Sequence, residues 1–388
     1  MLKRGLITIL VTLAFGLMVH ERAAASSEDL KSPDRPEDAS YACSTRLQLR
    51  HPGLCNSLGP ASYMEEYARM GIYPEKPLPA DVNDPALGYL PYNYLRVANS
   101  GVDVYGSLDD AIKSQNALRS LGRGTIFVSW IDRYDDGNHV IYQIAPGIHI
   151  RGDRVSRISL PNFLGLAFEE TPRYPFGWII RNVTSSVTPG YGQPLTSNNY
   201  LRTEVVQVYD NVKIGELDWY MIGPGEWIEQ HNIAIVDPSL GKPEGVTVES
   251  WVSINLYEQT LAVYENGELV FATMVSSGLQ GWWTRPGLFQ VYKKVETTTM
   301  QGAFEADRSD FYYLEDVPYV LYFDEARALH GTYWHNNYGY QQSHGCVNLS
   351  PADSRWIYDW AEEGTWVYVW DPSGITPVDE DLYTPGGV

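Results

Sequence analysis

Apolar and polar residues alternate with a period of two along much of this chain, the pattern of strands that bury one face. Residues 251–256 (Trp-Val-Ser-Ile-Asn-Leu) form one such run, and 260–264 and 269–275 form two more. Between the last two, Glu265-Asn266-Gly267-Glu268 puts Asn-Gly where a tight hairpin turn needs positive φ. Thr284-Arg285-Pro286-Gly287 turns into a strand at 288–291, and 319–323 and 365–370 add two others. Upstream, the same alternation predicts strands at 93–98, 125–131 and 140–144. Helical periodicity is scarce. Residues 108–121 read as a small helix. Ser350-Pro351-Ala352-Asp353 opens a second, with Ser350 as N-cap, Pro351 in the first turn and Asp353 at the positive end of the dipole. Trp356, Ile357, Trp360 and Ala361 give that helix an apolar face, and Gly364 stops it. Residues 297–316 (TTTMQGAFEADRSDFYYLED) fit neither period and are expected to form an irregular flap. The fold class is mainly β.

A chain of 388 residues exceeds one ordinary core and predicts several domains. Residues 26–88 read as a polar linker (SSEDLKSPDRPEDAS at 26–40) followed by a short segment with two cysteines and many prolines. Two β-rich stretches follow, at 89–160 and 161–240. They share a phrase: Tyr142-x-Ile144-x-Pro146-Gly147-x-x-Ile150 matches Tyr220-x-Ile222-x-Pro224-Gly225-x-x-Ile228. In each, a strand meets a Pro-Gly turn and re-enters a strand. This suggests a duplication, against one larger β domain with a chance match. In their turn spacing the two stretches resemble bacterial SH3-like barrels. The turn-rich run 237–245 marks a boundary, a third domain spans 246–372, and 373–388 is an acidic tail.

Composition narrows the setting. Hydrophobic residues make up 44% and charged residues 20%, so the bulk is globular. The 12 Trp and 28 Tyr favour β-rich domains and surfaces that stack on sugars or peptides. A formal net charge of -20 speaks against a nucleic-acid partner. Lys3 and Arg4, the apolar run 6–19 and Ala23-Ala24-Ala25 read as a secretory signal over 1–25, with an uncleaved anchor as the alternative. The folded part is therefore expected outside the cytoplasm, in the periplasm or cell wall. An exported protein can keep disulfides, and Cys43 and Cys55 lie close enough in sequence to staple a small loop. Cys346 is then the odd thiol.

Three of the eight histidines, His330, His335 and His344, lie within fifteen residues that nearly reach Cys346. A thiol with a pKa of ~8.5 is mostly protonated at neutral pH and needs an imidazole to take its proton. His330 or His344 could serve, oriented by a backbone carbonyl. Gly345 leaves room for a carbonyl substrate beside Cys346, and loop amides there can donate to an oxyanion. The loop runs into the N-terminus of the Ser350 helix, whose dipole favours negative charge. The same histidines and Cys346 also offer ligand types suited to zinc, although the spacing at 344–346 is not a common zinc pairing.

Ser343-His344-Gly345-Cys346-Val347-Asn348, with His330 upstream, resembles the signature of the L,D-transpeptidase catalytic domain of the YkuD type. The resemblance covers about 246–372 and implies a β-sandwich that requires no metal or other cofactor. It implies Cys346 as nucleophile, His330 as its base, the Gly331 carbonyl as orienting group and His344 lining the site. The amides of His344, Gly345 and Cys346 would form the oxyanion hole, with Ser343 and Asn348 holding the loop. The implied reaction is a 3-3 cross-link between peptidoglycan stem peptides, donor and acceptor, through a thioester, with a carbapenem as covalent inhibitor. Water as acceptor would make the enzyme an L,D-carboxypeptidase, and a protein amine would make it tether protein to wall. A non-catalytic wall-binding protein is the remaining alternative. Glycan or wall binding is expected of the two upstream modules.

Overall fold

A computed structural model describes residues 67–68, 78–303, 305 and 307–383. The secretory signal, the linker at 26–40, Cys43 and Cys55 lie outside the described residues. Almost every alternating run predicted above is a strand. The Asn266-Gly267 turn has φ of 53° and 82°, the left-handed pair that a tight hairpin demands.

The C-terminal third forms a two-sheet sandwich whose sheets are extended by upstream strands. One sheet runs, in spatial order, Ala80–Val82, Leu166–Phe168, Glu268–Met274, Thr260–Glu265, Trp251–Asn255, Trp366–Trp370 and Gly287–Gln290. The other runs Val347–Leu349, Arg327–Gly331, Tyr312–Asp324, Thr125–Trp130, Asn93–Val97 and Val155–Arg157, with Lys293–Gly302 also paired to Tyr312–Asp324. Inward residues meet between them. Val252, Ile254, Leu261, Val263 and Phe271 of the first sheet pack on Leu321, Phe323, Leu329, Val347 and Leu349 of the second. Each such side chain contributes roughly 1.5–3 kcal/mol of burial.

The helix Pro351–Trp360 begins where its sequence said it should, with Ser350 Oγ accepting from Asp353 N at 3.2 Å. Ile357 and Ala361 enter the sandwich core. Asp353 does more than favour the dipole. It is fully buried and accepts from Asn83 Nδ2 (2.9 Å), Gly165 N (2.9 Å) and Thr273 Oγ1 (2.7 Å). Burial raises its pKa, and these donors pull it back. One carboxylate thus joins the segment before the first β-rich stretch, the segment between the two stretches, and the C-terminal sandwich.

The two upstream stretches have the same pairing scheme. In the first unit Asn93–Val97 pairs with Thr125–Trp130 and Val155–Arg157, Val102–Tyr105 pairs with Ala117–Leu121 and Ile148–Arg151, and Val140–Ala145 pairs with Asp132–Asp135 and Ile148–Arg151. In the second, Phe176–Ile179 pairs with Val205–Gln207 and Ile233–Val236, Val183–Ser186 with Leu195–Tyr200 and Glu226–Glu229, and Leu217–Gly223 with Asp210–Ile214 and Glu226–Glu229. A 3-10 turn precedes the last strand of each, at Gly152–Arg154 and Gln230–Asn232. The shared Pro-Gly phrase falls on equivalent strands.

Two expectations need correction. The helix expected at 108–121 covers only Leu108–Lys113. Ser114 and Asn116 turn left-handed (φ 51° and 53°), and Ala117–Leu121 continues as a strand. The flap at 297–316 is not irregular but lies in a long hairpin, Lys293–Gly302 against Tyr312–Asp324. Its polar faces hid the alternation, because neither strand buries one side uniformly.

Candidate active site

The parallel pair Arg327–Gly331 and Val347–Leu349 builds the site. Its register sets Leu329 against Val347 and His330 against Asn348. Side chains two residues apart share a face. His330, Cys346 and Asn348 accordingly line one cleft of about 710 Å³, together with Tyr312, Arg327 and Trp334. Ser343 and His344 also border it.

His330 is 2% exposed, and its Nδ1 lies 3.1 Å from the Gly331 carbonyl. The carbonyl can only accept, so the ring proton sits on Nδ1 and Nε2 is the basic nitrogen. Burial lowers the His330 pKa to about 4. Gly331 is dictated by space: a Cβ there would fall 2.5 Å from Ser354 Oγ and 2.8 Å from the Pro318 ring.

Cys346 is a free, half-buried thiol whose Sγ lies 3.8 Å from the Ala326 carbonyl. Burial pushes the thiol up, while a backbone hydrogen bond from Ala328 and the positive charge of Arg327 pull it down. The resting pair is therefore neutral thiol and neutral imidazole. The sulfur becomes an anion only as its proton leaves.

The Cys loop is held from inside. Ser343 Oγ donates to the Cys346 carbonyl (2.5 Å) and accepts from Gly345 N (3.1 Å). Thr284 Oγ1 donates to the Gly345 carbonyl (2.9 Å). Gly345 has a φ of 118°, which a side chain would strain. Because Ser343 engages the Gly345 amide, an incoming oxyanion must compete for it. His344 stacks on Tyr312 (5.3 Å) and meets Trp282 at a tilt (4.3 Å), and burial lowers its pKa. Asn348 faces His335: the His335 Nε2 lies 2.9 Å from its side-chain amide, and Asn337 N donates to Nδ1 (3.2 Å). Among the described residues no three His, Cys, Asp or Glu side chains gather in a metal-holding group.

Sequence reading missed Arg327, which is buried and donates to Asp324 (3.0 Å). Its Nε would lie 3.2 Å from a Cβ at Gly345, so it sits directly under the Cys loop. A lone cation inside the apolar run Ala326-Arg327-Ala328-Leu329 was the available signal. Also missed was the contribution of the first unit. Its strand Thr125–Trp130 pairs with the flap strand at Tyr312–Leu314, and Thr125 lines the cleft. Tyr94 stacks on Tyr333 (3.6 Å), whose neighbour Trp334 lies against His330 (5.8 Å).

Residues 249–369 match the family model of the YkuD L,D-transpeptidase catalytic domain. The chain is similar to L,D-transpeptidase 1 of Mycobacterium tuberculosis, 23% identical over 198 residues, covering 48% of this chain and 78% of that protein. Among solved structures it is similar to an L,D-transpeptidase from Stackebrandtia nassauensis (30% identity, 36% of this chain, 62% of that chain, TM-score 0.27). Another is the L,D-transpeptidase LdtMt1 in complex with imipenem (18% identity, 55% of this chain, 93% of that chain, TM-score 0.30). The chain thus spans less than two thirds of the Stackebrandtia protein. Residues 249–369, the C-terminal sandwich, are an L,D-transpeptidase catalytic domain of the YkuD type.

Proposed function

We propose that this L,D-transpeptidase domain forms 3-3 peptidoglycan cross-links through a thioester on Cys346. The observation that carries the reading is that His330, on one strand, and Cys346, immediately before the adjacent parallel strand, line one cleft, with His330 fixed by its Gly331 carbonyl. His330 Nε2 takes the thiol proton as sulfur attacks the carbonyl of the diamino-acid residue at position three of a tetrapeptide stem. The positive charge of Arg327 favours the thiolate as it forms. The tetrahedral oxyanion is met by loop amides at 344–346. His330 returns the proton to the terminal D-Ala amine, which leaves. A side-chain amine of a second stem then attacks the thioester, its proton passes to His330, and the thiol is restored. Water or a protein amine would intercept the same thioester, giving a carboxypeptidase or a tethering enzyme. The reading places the chain outside the cytoplasm, exported by its first 25 residues.

Mass spectrometry of tetrapeptide stems incubated with purified enzyme tests it. Loss of D-Ala coupled to a cross-linked dimer is expected, because a second stem supplies the side-chain amine, and blocking that amine on every stem should abolish the dimer. Release of free tripeptide in preference to dimer, with acceptor in excess, would overturn the cross-linking assignment. Imipenem, the carbapenem held by the relative above, should add one covalent mass to the wild type and none to Cys346→Ala. An adduct on Cys346→Ala would remove Cys346 as the nucleophile.

A further inference from the structure

The second unit differs from the first at one equivalent place. In the first, Ile148–Arg151 ends at Arg151, whose guanidinium donates to the carbonyls of Ala111 (3.0 Å) and Ile112 (3.2 Å) in the short helix. That contact fills the corner. In the second, the matching strand ends at Glu229, and the matching connection, 187–194, has no helix but carries Tyr191. A cleft of about 500 Å³ stands open there, bordered also by the catalytic domain. That volume suits a small ligand.

Three tyrosine rings border it and face water: Tyr191 is 72% exposed, Tyr340 42% and Tyr257 40%. None is loose. Tyr191 meets Trp219 edge-on at 5.4 Å. Tyr257 OH accepts from Gln230 Nε2 (2.6 Å), and Tyr340 OH donates to the Ile180 carbonyl (3.1 Å). Rings held in place while exposed lose little freedom when a ligand stacks on them. Between them lies Glu229, 4% exposed, with His231 Nδ1 at 2.6 Å and Arg181 Nη2 at 3.8 Å. Glu229 and Glu258 both line the cleft beside Arg181, so an anionic ligand finds no net positive field there. Flat apolar rings beside a rigid set of hydrogen-bonding groups suit a neutral, polyhydroxylated ring.

We propose that this cleft binds the glycan of peptidoglycan, as an N-acetylated hexosamine oligosaccharide stacked on Tyr191 and Tyr257. The choice of amino sugar rests on the cell-wall function proposed above. The cleft itself does not.

The test is calorimetric titration of the full chain carrying Cys346→Ala with a hexamer of N-acetylglucosamine. Saturable binding is expected, weakened about tenfold or more by Tyr191→Ala and by Tyr257→Ala. Tyr191 is exposed, so its variant should fold, and an unchanged melting temperature would confirm this. No binding by the parent chain, or equal affinity in the Tyr191→Ala variant, overturns the proposal. Turnover of glycan-free stems by the wild type is read separately. Its absence with oligosaccharide binding intact counts against the cross-linking reaction and leaves the cleft standing.

Discussion

Two copies of one pairing scheme have reached opposite relations with the same catalytic domain. The first unit has given a strand to the catalytic sheet. Thr125, Ile126 and Phe127 pair with Tyr312, Tyr313 and Leu314, so one hydrogen-bonded surface runs from the unit into the flap. Ser129 N donates to Glu315 (2.9 Å), Ser129 Oγ to Asp316 (2.5 Å), and Tyr94 OH to the Asp316 carbonyl (2.9 Å). The second unit keeps a separate three-stranded sheet that packs onto the catalytic sheet, burying Phe176, Trp178, Ala234 and Val236 against Trp251, Ala262, Tyr264 and Met274, with polar contacts such as Ile235 N to Glu258 (2.8 Å) and Arg202 Nη2 to the Tyr338 carbonyl (2.7 Å). A duplicated fold can extend a catalytic sheet strand to strand or pack its own sheet against it. What decides is whether an edge strand is shared.

The sharpest way to break this comparison is Tyr94→Ala. It deletes a buried ring stacked on Tyr333 and should cost about 3–5 kcal/mol, read as a loss of denaturant midpoint, with slower imipenem acylation of Cys346. Full acylation at wild-type rate would show that the first unit does not support the site.

Acid comes next. His330 titrates at about 4 in the folded chain against ~6.5 unfolded, so the unfolded chain binds the extra proton between these values. Stability is complete above ~6.5 and falls by up to about 3 kcal/mol as pH drops toward 4. At the second unit's seam the sign reverses. Burial raises Glu258 to about 7 from an ordinary 4.5, so its share of stability is present below 4.5 and is lost as pH rises through 7. Denaturation curves of Glu258→Gln and wild type should converge at acid pH and separate toward neutrality. Parallel curves across that range would refute the assignment.

Ser129→Ala should cost about 1–2 kcal/mol, because the half-buried Asp316 carboxylate loses its hydroxyl donor. A change within experimental error would mean water replaces it freely. The smallest effect is expected of Tyr191→Ala, within about 0.5 kcal/mol in a melt, as its ring is mostly exposed and meets only the edge of Trp219. A larger loss would make the second unit's cleft a packing feature.

Much of this was legible. Strands with one buried face announced themselves by alternation, and the Ser350 cap, Pro351 and apolar stripe placed the helix. Cys346, His330, Gly331 and Ser343 were legible because their chemistry demands residue types at close spacing along one parallel pair. Arg327 and Asp353 were not, since each acts on partners distant in sequence: Arg327 under Gly345, Asp353 with Asn83 and Thr273. The hairpin at 293–324 escaped for a different reason. Its strands bury side chains on both faces at some points and on neither at others, so no single period survives.

The buried carboxylate of Asp353 also constrains how the molecule is assembled. Its partners at positions 83 and 165 leave the ribosome long before residue 353 is made, as do the strands Ala80–Val82 and Leu166–Phe168 that extend the catalytic sheet. These two strands pair with each other, and the pair must wait for Glu268–Met274 and then for the helix. Trimming the gene to the segment that matches the family would remove these early pieces. The acid would keep its interior position with two of its donors gone, and the newly bared margin of the sheet would be free to recruit a neighbour.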